Sequence, residues 1–167
     1  MSPVEAILLA VTLQRLAELW LSRRNVRRLL AAGAVEIGAG HYPLIVLLHS
    51  AWLAALWLLV PWSAAIVWPA LAAFLLLQVG RLWVMTHLGR FWTTRIISLP
   101  DAPLVASGPY RWCRHPNYVV IVGEIALLPL AFGAWRIALV FSLLNAALLA
   151  WRIHCEDGAL SPRRQAQ

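Results

Sequence analysis

The chain has 167 residues, is 62% hydrophobic and 13% charged, and has a mean hydropathy of +0.73. A soluble domain is typically about half apolar and about a quarter charged, so this composition excludes one and indicates an integral membrane protein. Net charge is +7, and all 14 basic residues are arginine; in a membrane protein such residues set orientation and meet lipid headgroups, so the basic excess is not read as nucleic-acid binding.

A run of about 20 apolar residues crosses a bilayer as a helix, and the sequence supplies about five such runs in one membrane domain, 1–167. The opening MSPVEAILL lacks a basic n-region and a small-residue cleavage site, so the first run is expected to be retained as a span. That span covers Val4 to Leu21, interrupted by Gln14, Arg15 and Glu18. Arg15 and Glu18 are three apart, share a helix face and are placed to pair, as a structural ion pair or at the wall of a polar cavity.

Ser22 to Glu36 alternates Arg23, Arg24, Arg27 and Arg28 with Val26, Leu29, Leu30 and Val35. This is a basic amphipathic segment expected in the headgroup region. Tyr42 to Val60 is the second span, with His49 read as a neutral packing residue. Pro61-Trp62-Ser63 turns the chain, and Ala64 to about Met85 is the third span, with Pro69 as a candidate kink. These spans occupy residues 1–86.

A long polar interval follows, 87–116, carrying Arg90, Arg95, Arg111 and Arg114. Loops of this length are functional or disordered. Trp92, Ile96, Ile97, Leu99, Leu104 and Val105 argue for a segment that buries itself, and the alternation in TTRIISLP suggests an extended piece. Asn117 to Phe132 is a short fourth span. After a turn at Gly133-Ala134-Trp135, Ile137 to Trp151 is the fifth, running on into Arg152, His154, Glu156 and Asp157. The short turn makes 117–157 an antiparallel helical hairpin, and the tail SPRRQAQ is expected to fray.

Four arginines follow span one, four lie between spans three and four, and three lie at or after the end of span five, whereas the opposite turns hold only Arg136. By the positive-inside rule the N-terminus is out and the C-terminus cytoplasmic. The compact all-arginine chain suggests a bacterial inner membrane. The two cysteines, Cys113 and Cys155, form no CxxC pair and no zinc-type spacing, so neither disulfide nor metal is expected.

The densest polar chemistry is SGPYRWCRHPNYVVIVGE, residues 107–124. Pro116 suits the first turn of a helix, which leaves His115 near the N-cap and backbone N–H groups directed at an anion. His115 and Tyr118 are three apart, and Arg152 and Glu156 are four apart, so the hairpin brings two polar helix ends together. Salt bridges that merely tie the hairpin would account for Arg152 and Glu156, but not for the adjoining His and Tyr. Glu124, about two turns into an apolar helix, is costly there unless it is paired with Arg81 or Arg15 or is a neutral acid meeting a substrate.

At these residues the chain resembles the isoprenylcysteine carboxyl methyltransferase family of integral membrane enzymes. GPYRWCRHPNY matches the family signature through Gly108, Tyr110, Arg114, His115, Pro116 and Tyr118, and RIHCED matches its C-terminal arginine and acidic pair through Arg152, Glu156 and Asp157. The resemblance implies S-adenosylmethionine held by Tyr110, Arg114, His115, Pro116, Tyr118 and Glu156, and a lipophilic or lipidated acceptor entering from the membrane lipids. It also implies orientation of the acceptor or the cofactor by Arg152, and His115 and Glu124 join Arg152 as candidate catalytic groups. A carboxylate acceptor of isoprenylcysteine type needs only orientation. The alternative, a phenolic or otherwise hydroxylated lipid, needs a base, and His115 or Glu124 is available. A non-enzymatic membrane scaffold or lipid binder is the remaining class.

Overall fold

The computed structural model describes residues 1–165 apart from 101 and 104, and the side chains of these except 157 and 159–165. The positions expected for Leu104, Asp157 and the polar side chains of the tail therefore lie outside the described residues. Five helices stand where the hydropathy places them: α1 (Pro3–Ala31), α2 (Tyr42–Leu59), α3 (Trp68–Leu88), α4 (Pro116–Ala131) and α5 (Trp135–Gln165). Residues 39–59, 68–91 and 135–156 are each helical, long and apolar enough to cross a membrane, and α4 is a shorter apolar helix. Leu75, Leu76, Val79 and Leu82 on α3, and Leu139, Val140, Leu143 and Leu144 on α5, are exposed, as expected where hydrocarbon is the solvent. The protein is an all-α integral membrane protein.

Local chemistry sets the helix boundaries. Ser2 and Glu5 form a reciprocal capping box at the start of α1: Glu5 N–H donates to Ser2 Oγ at 3.2 Å, and Ser2 N–H donates to the Glu5 carboxylate at 2.5 Å. The amphipathic stretch beginning at Ser22 continues α1 unbroken to Ala31. Its arginines are exposed, while Ser22, Asn25, Val26 and Leu29 are buried. Its end differs from a purely helical reading: Val35–Ile37 forms β1, which pairs antiparallel with β2 (Ile96–Ser98), Val35 opposite Ser98 and Ile37 opposite Ile96. The extended piece read from TTRIISLP is thus a strand whose partner was hidden in the amphipathic segment. Pro69 lies in the first turn of α3, where its missing N–H costs nothing, and so starts the helix rather than kinking it.

Helix α4 is central, packing on α3 and on α5. Gly123 allows the close approach of α3: a Cβ there would stand 2.4 Å from Leu77 Cδ1. Away from the long loop, Val4, Leu8, Trp52, Leu56, Phe74, Ile125 and Leu128 form the hydrophobic core.

Toward the loop the core gives way to buried charge. Arg81 on α3 donates to both oxygens of Glu18, each at 2.6 Å, and to Glu124 Oε2 at 2.8 Å. Arg15 reaches the same two carboxylates at 2.9 Å each. Gln78 donates to Glu124 at 2.9 Å, and Gln14 to Glu18 at 3.0 Å and to Gln78 at 2.9 Å. Two cations and two anions cancel, and α1, α3 and α4 are tied at one depth. Of the two roles open to Glu124 in the sequence, pairing with Arg81 and Arg15 is the arrangement observed. Arg81→Met leaves two buried carboxylates sharing Arg15 alone, with one negative charge uncompensated, and is expected to lower unfolding stability by about 3–5 kcal/mol. Gln14→Leu, which removes a neutral amide from the cluster's edge, costs about 1 kcal/mol. Thermal unfolding in detergent compares them, and equal losses would contradict a charge-dominated cluster.

Candidate active site

Three segments converge at the loop end of the bundle: the strap 89–98 leading into β2, the turn Gly108–Arg111 before α4, and the facing ends of α4 and α5. The strap is buried at Trp92, Ile96 and Ser98, so the long polar interval folds on itself as its apolar residues suggest. Asn25 of α1 donates to the carbonyls of Trp92, at 2.8 Å, and Gly89, at 3.3 Å. Arg95 donates to Glu36 of β1 at 2.8 Å and lies over the Tyr42 ring at 4.5 Å. The Glu36 carboxylate, through its hydrogen bonds, raises the pKa of that guanidinium. The turn before α4 is set by Gly108, whose φ is +59° and whose added Cβ would stand 2.3 Å from the His87 ring.

Tyr118 is the hub between the hairpin ends. Its hydroxyl donates to Glu156 Oε2 and accepts from Arg152 Nε at 2.8 Å. His115 stacks on the Tyr118 ring at 5.2 Å with an interplanar angle of 14°, and its Nδ1 lies 3.7 Å from the Glu156 carboxylate. Arg152 is buried and donates through Nη2 to the carbonyl of Thr94 at 2.8 Å. Two helix ends and the strap therefore meet in one polar knot.

Two cavities open on either side of it. The outer one, about 390 Å³, lies under the loop and is lined by Tyr110, Arg114, His115, Tyr118, Arg152 and Glu156 with Leu88, Phe91, Ile97, Leu99 and Val105. The inner one, about 220 Å³, lies within the bundle and is mainly apolar, with Leu16, Leu19, Ile45, Leu53, Ile121, Leu148 and Leu149, the amide of Asn145 and the charges of Arg15 and Arg81 in its wall. Thr93, Asn117, Tyr118 and Arg152 line both. Burial, with the Glu156 carboxylate beside it, pushes the Tyr110 phenol above its ordinary value.

Of the site residues read from the sequence, Tyr110, Arg114, His115, Tyr118, Arg152 and Glu156 stand together around the outer cavity. Pro116 lines neither cavity; it is buried and begins α4. Glu124 also lines neither and sits in the ion cluster, whose Arg15, Glu18 and Arg81 do reach the inner cavity. The sequence reading did not single out Thr93 or Asn117, which line both cavities. Asn117 is the more informative omission: its Oδ1 is buried at the junction with no hydrogen-bond partner among the described residues, and its place between Pro116 and Tyr118 of the motif was the available signal. His49 is a cavity-wall residue whose Nδ1 lies 2.8 Å from the Ile45 carbonyl. No group of three or more His, Cys, Asp or Glu side chains that would hold a metal occurs among the described residues.

The chain is thus a polytopic helical membrane protein whose polar loop-end cavity meets an apolar one inside the bundle, the concave and largely apolar setting in which small molecules bind. Residues 70–162 match the family described as isoprenylcysteine carboxyl methyltransferase. The chain is 39% identical over 159 residues to the uncharacterized protein YpbQ of Bacillus subtilis, covering 92% of this chain and 95% of that one. It is 29% identical over 161 residues to an uncharacterized protein of Haemophilus influenzae, covering 88% of each. It is 41% identical over 92 residues to the nickel-cobalt-cadmium resistance protein NccN of Alcaligenes xylosoxydans xylosoxydans, spanning 52% of this chain and 41% of that protein. No solved structure matches the chain at a significant level. The chain belongs to the isoprenylcysteine carboxyl methyltransferase family, and that membership assigns it membrane methyltransferase activity.

Gly108→Ala puts a side chain against His87 in a strained backbone region and is expected to loosen the turn over Arg111. Limited trypsin digestion should then cut at Arg111 at least about tenfold faster, a factor equivalent to about 1.4 kcal/mol and within the range of left-handed strain. An unchanged rate would show that the turn does not depend on this contact.

Proposed function

We propose that the chain transfers a methyl group from S-adenosylmethionine to an oxygen of a membrane-soluble acceptor, with the donor in the outer cavity and the acceptor in the inner one. The observation that carries this reading is the meeting of a polar, loop-covered cavity with an apolar, bundle-enclosed one at Thr93, Asn117, Tyr118 and Arg152. The outer donor set suits the cofactor. Glu156 can take its ribose hydroxyls or amino group, Arg114 and the Asn117 N–H at the start of α4 its carboxylate, and Leu88, Phe91 and Val105 its adenine. When bound, the cofactor supplies an electrophilic methyl on a sulfonium. The protein's tasks are then to align the two reactants and to keep water from the junction.

Arg152 does the aligning. Its guanidinium is buried, is held by Tyr118 and Thr94, and lines both cavities. An acceptor carboxylate of the isoprenylcysteine type can be oriented by it with no base required, and this is the first reading of the acceptor. The second is a hydroxylated lipid: the Asn117 Oδ1, buried at the junction without a partner among the described residues, can accept the hydrogen of an acceptor hydroxyl. The arginine distribution and the bacterial origin of the relatives support a bacterial inner membrane with the loop end cytoplasmic.

Calorimetric titration of purified protein with S-adenosylhomocysteine tests the donor half. Wild type is expected to bind, and Glu156→Ala to bind at least about tenfold more weakly, as for a lost charge-assisted hydrogen bond. Absence of binding by wild type would overturn the proposal. A farnesylated N-acetylcysteine and a long-chain alkylphenol, offered with methyl-labelled cofactor, separate the two acceptor readings.

A further inference from the structure

Resting on the methyltransferase reading, we propose that Ser22 of α1, Thr94 of the strap and Tyr42 of α2 form a clamp that positions Arg152, so that the first two helices act on the reaction centre without contacting the cofactor. Every polar group of Thr94 is engaged. Its N–H donates to Ser22 Oγ at 2.8 Å, its hydroxyl shares hydrogen bonds with Ser22 Oγ at 2.8 Å and with the Tyr42 hydroxyl at 3.1 Å, and its carbonyl accepts from Arg152 Nη2 at 2.8 Å.

Ser22 is 2% exposed and lies one turn before Asn25, which holds the Trp92 carbonyl two residues upstream of Thr94. One face of α1 thus grips the strap at two points and fixes where the Thr94 carbonyl stands. A guanidinium is planar, so one hydrogen bond from Nη2 to Thr94 and one from Nε to Tyr118 define its plane and leave no free rotation. Arg152 is therefore aimed jointly by Tyr118, which belongs to the sequence motif, and by Thr94, which takes its position from α1 and α2. The family match begins at residue 70, beyond Ser22 and Tyr42, so the motif-bearing part of the chain does not aim the arginine alone.

Arginine 15N NMR of the full chain in lipid nanodiscs tests the clamp, with the Arg152 Nε–H signal assigned by its loss in Arg152→Lys. Ser22→Ala and Thr94→Val are expected to speed hydrogen exchange at that Nε–H about tenfold, and Thr94→Ser to restore it, because the seryl hydroxyl remakes both contacts. With farnesylated N-acetylcysteine or alkylphenol, whichever wild type methylates, kcat should fall about tenfold to a hundredfold in Ser22→Ala and Thr94→Val. S-adenosylhomocysteine affinity should stay within about twofold, within which factor distant substitutions leave one another's effects. Unchanged exchange in both variants would overturn the clamp, as would a loss that Thr94→Ser fails to rescue. Failure of wild type to bind S-adenosylhomocysteine would sink the methyltransferase reading alone, because the exchange measurement needs no ligand.

Discussion

The structure depends on the guanidinium of Arg81. In an apolar bundle a carboxylate is tolerated only where it is paired, and Arg81 lets α1 and α4 each bring one: Glu18 at 2.6 Å and Glu124 at 2.8 Å. Arg15 closes the ring, and the glutamines take up oxygens that the arginines share. Hydrophobic burial is a weak force between helices in lipid, so packing and directional contacts of this kind carry the register. The cluster sets the depth at which α4 stands against α1 and α3, and with it the height of His115, Asn117 and Tyr118 at the helix start.

From that register follows the division of space. The short α4 and the long α5 diverge in length, so α5 continues past the start of α4 and carries Arg152 and Glu156 beside Tyr118. The strap then crosses this end, held by α1 and β1, and separates a loop-side cavity from a bundle-side one. A reaction between a water-soluble donor and a lipid-soluble acceptor needs this partition, because the two reactants arrive from different phases and must meet where water is excluded.

The helices and the residues that gather around the outer cavity were legible in the sequence, since hydropathy fixes spans and the G-P-Y…R-H-P-N-Y and R-I-H-C-E-D runs concentrate polar groups where apolar ones belong. The pairing of Glu124 was legible too, because a lone carboxylate in an apolar helix demands a partner and Arg81 and Arg15 were the candidates. The strap's role was not. Ser22, Tyr42 and Thr94 are ordinary residues far apart in the chain, and only the packing of α1 against the loop brings their hydroxyls together. Strand β1 escaped for a related reason: Val35–Ile37 is three residues long, with Val35 exposed and Glu36 and Ile37 half-buried, too short a run for period-two patterning to register. Asp157, read as half of an acidic pair, has its side chain outside the described residues.

The most direct test of the two-cavity account follows the methyl group itself. Purified protein is incubated with methyl-labelled S-adenosylmethionine and a total lipid extract of its source, and the products are partitioned and analysed by mass spectrometry. The account expects label in a lipid-extractable ester or ether, and its loss in Arg152→Ala while S-adenosylhomocysteine still binds. Label confined to water-soluble products, or lipid labelling that survives Arg152→Ala undiminished, would contradict it.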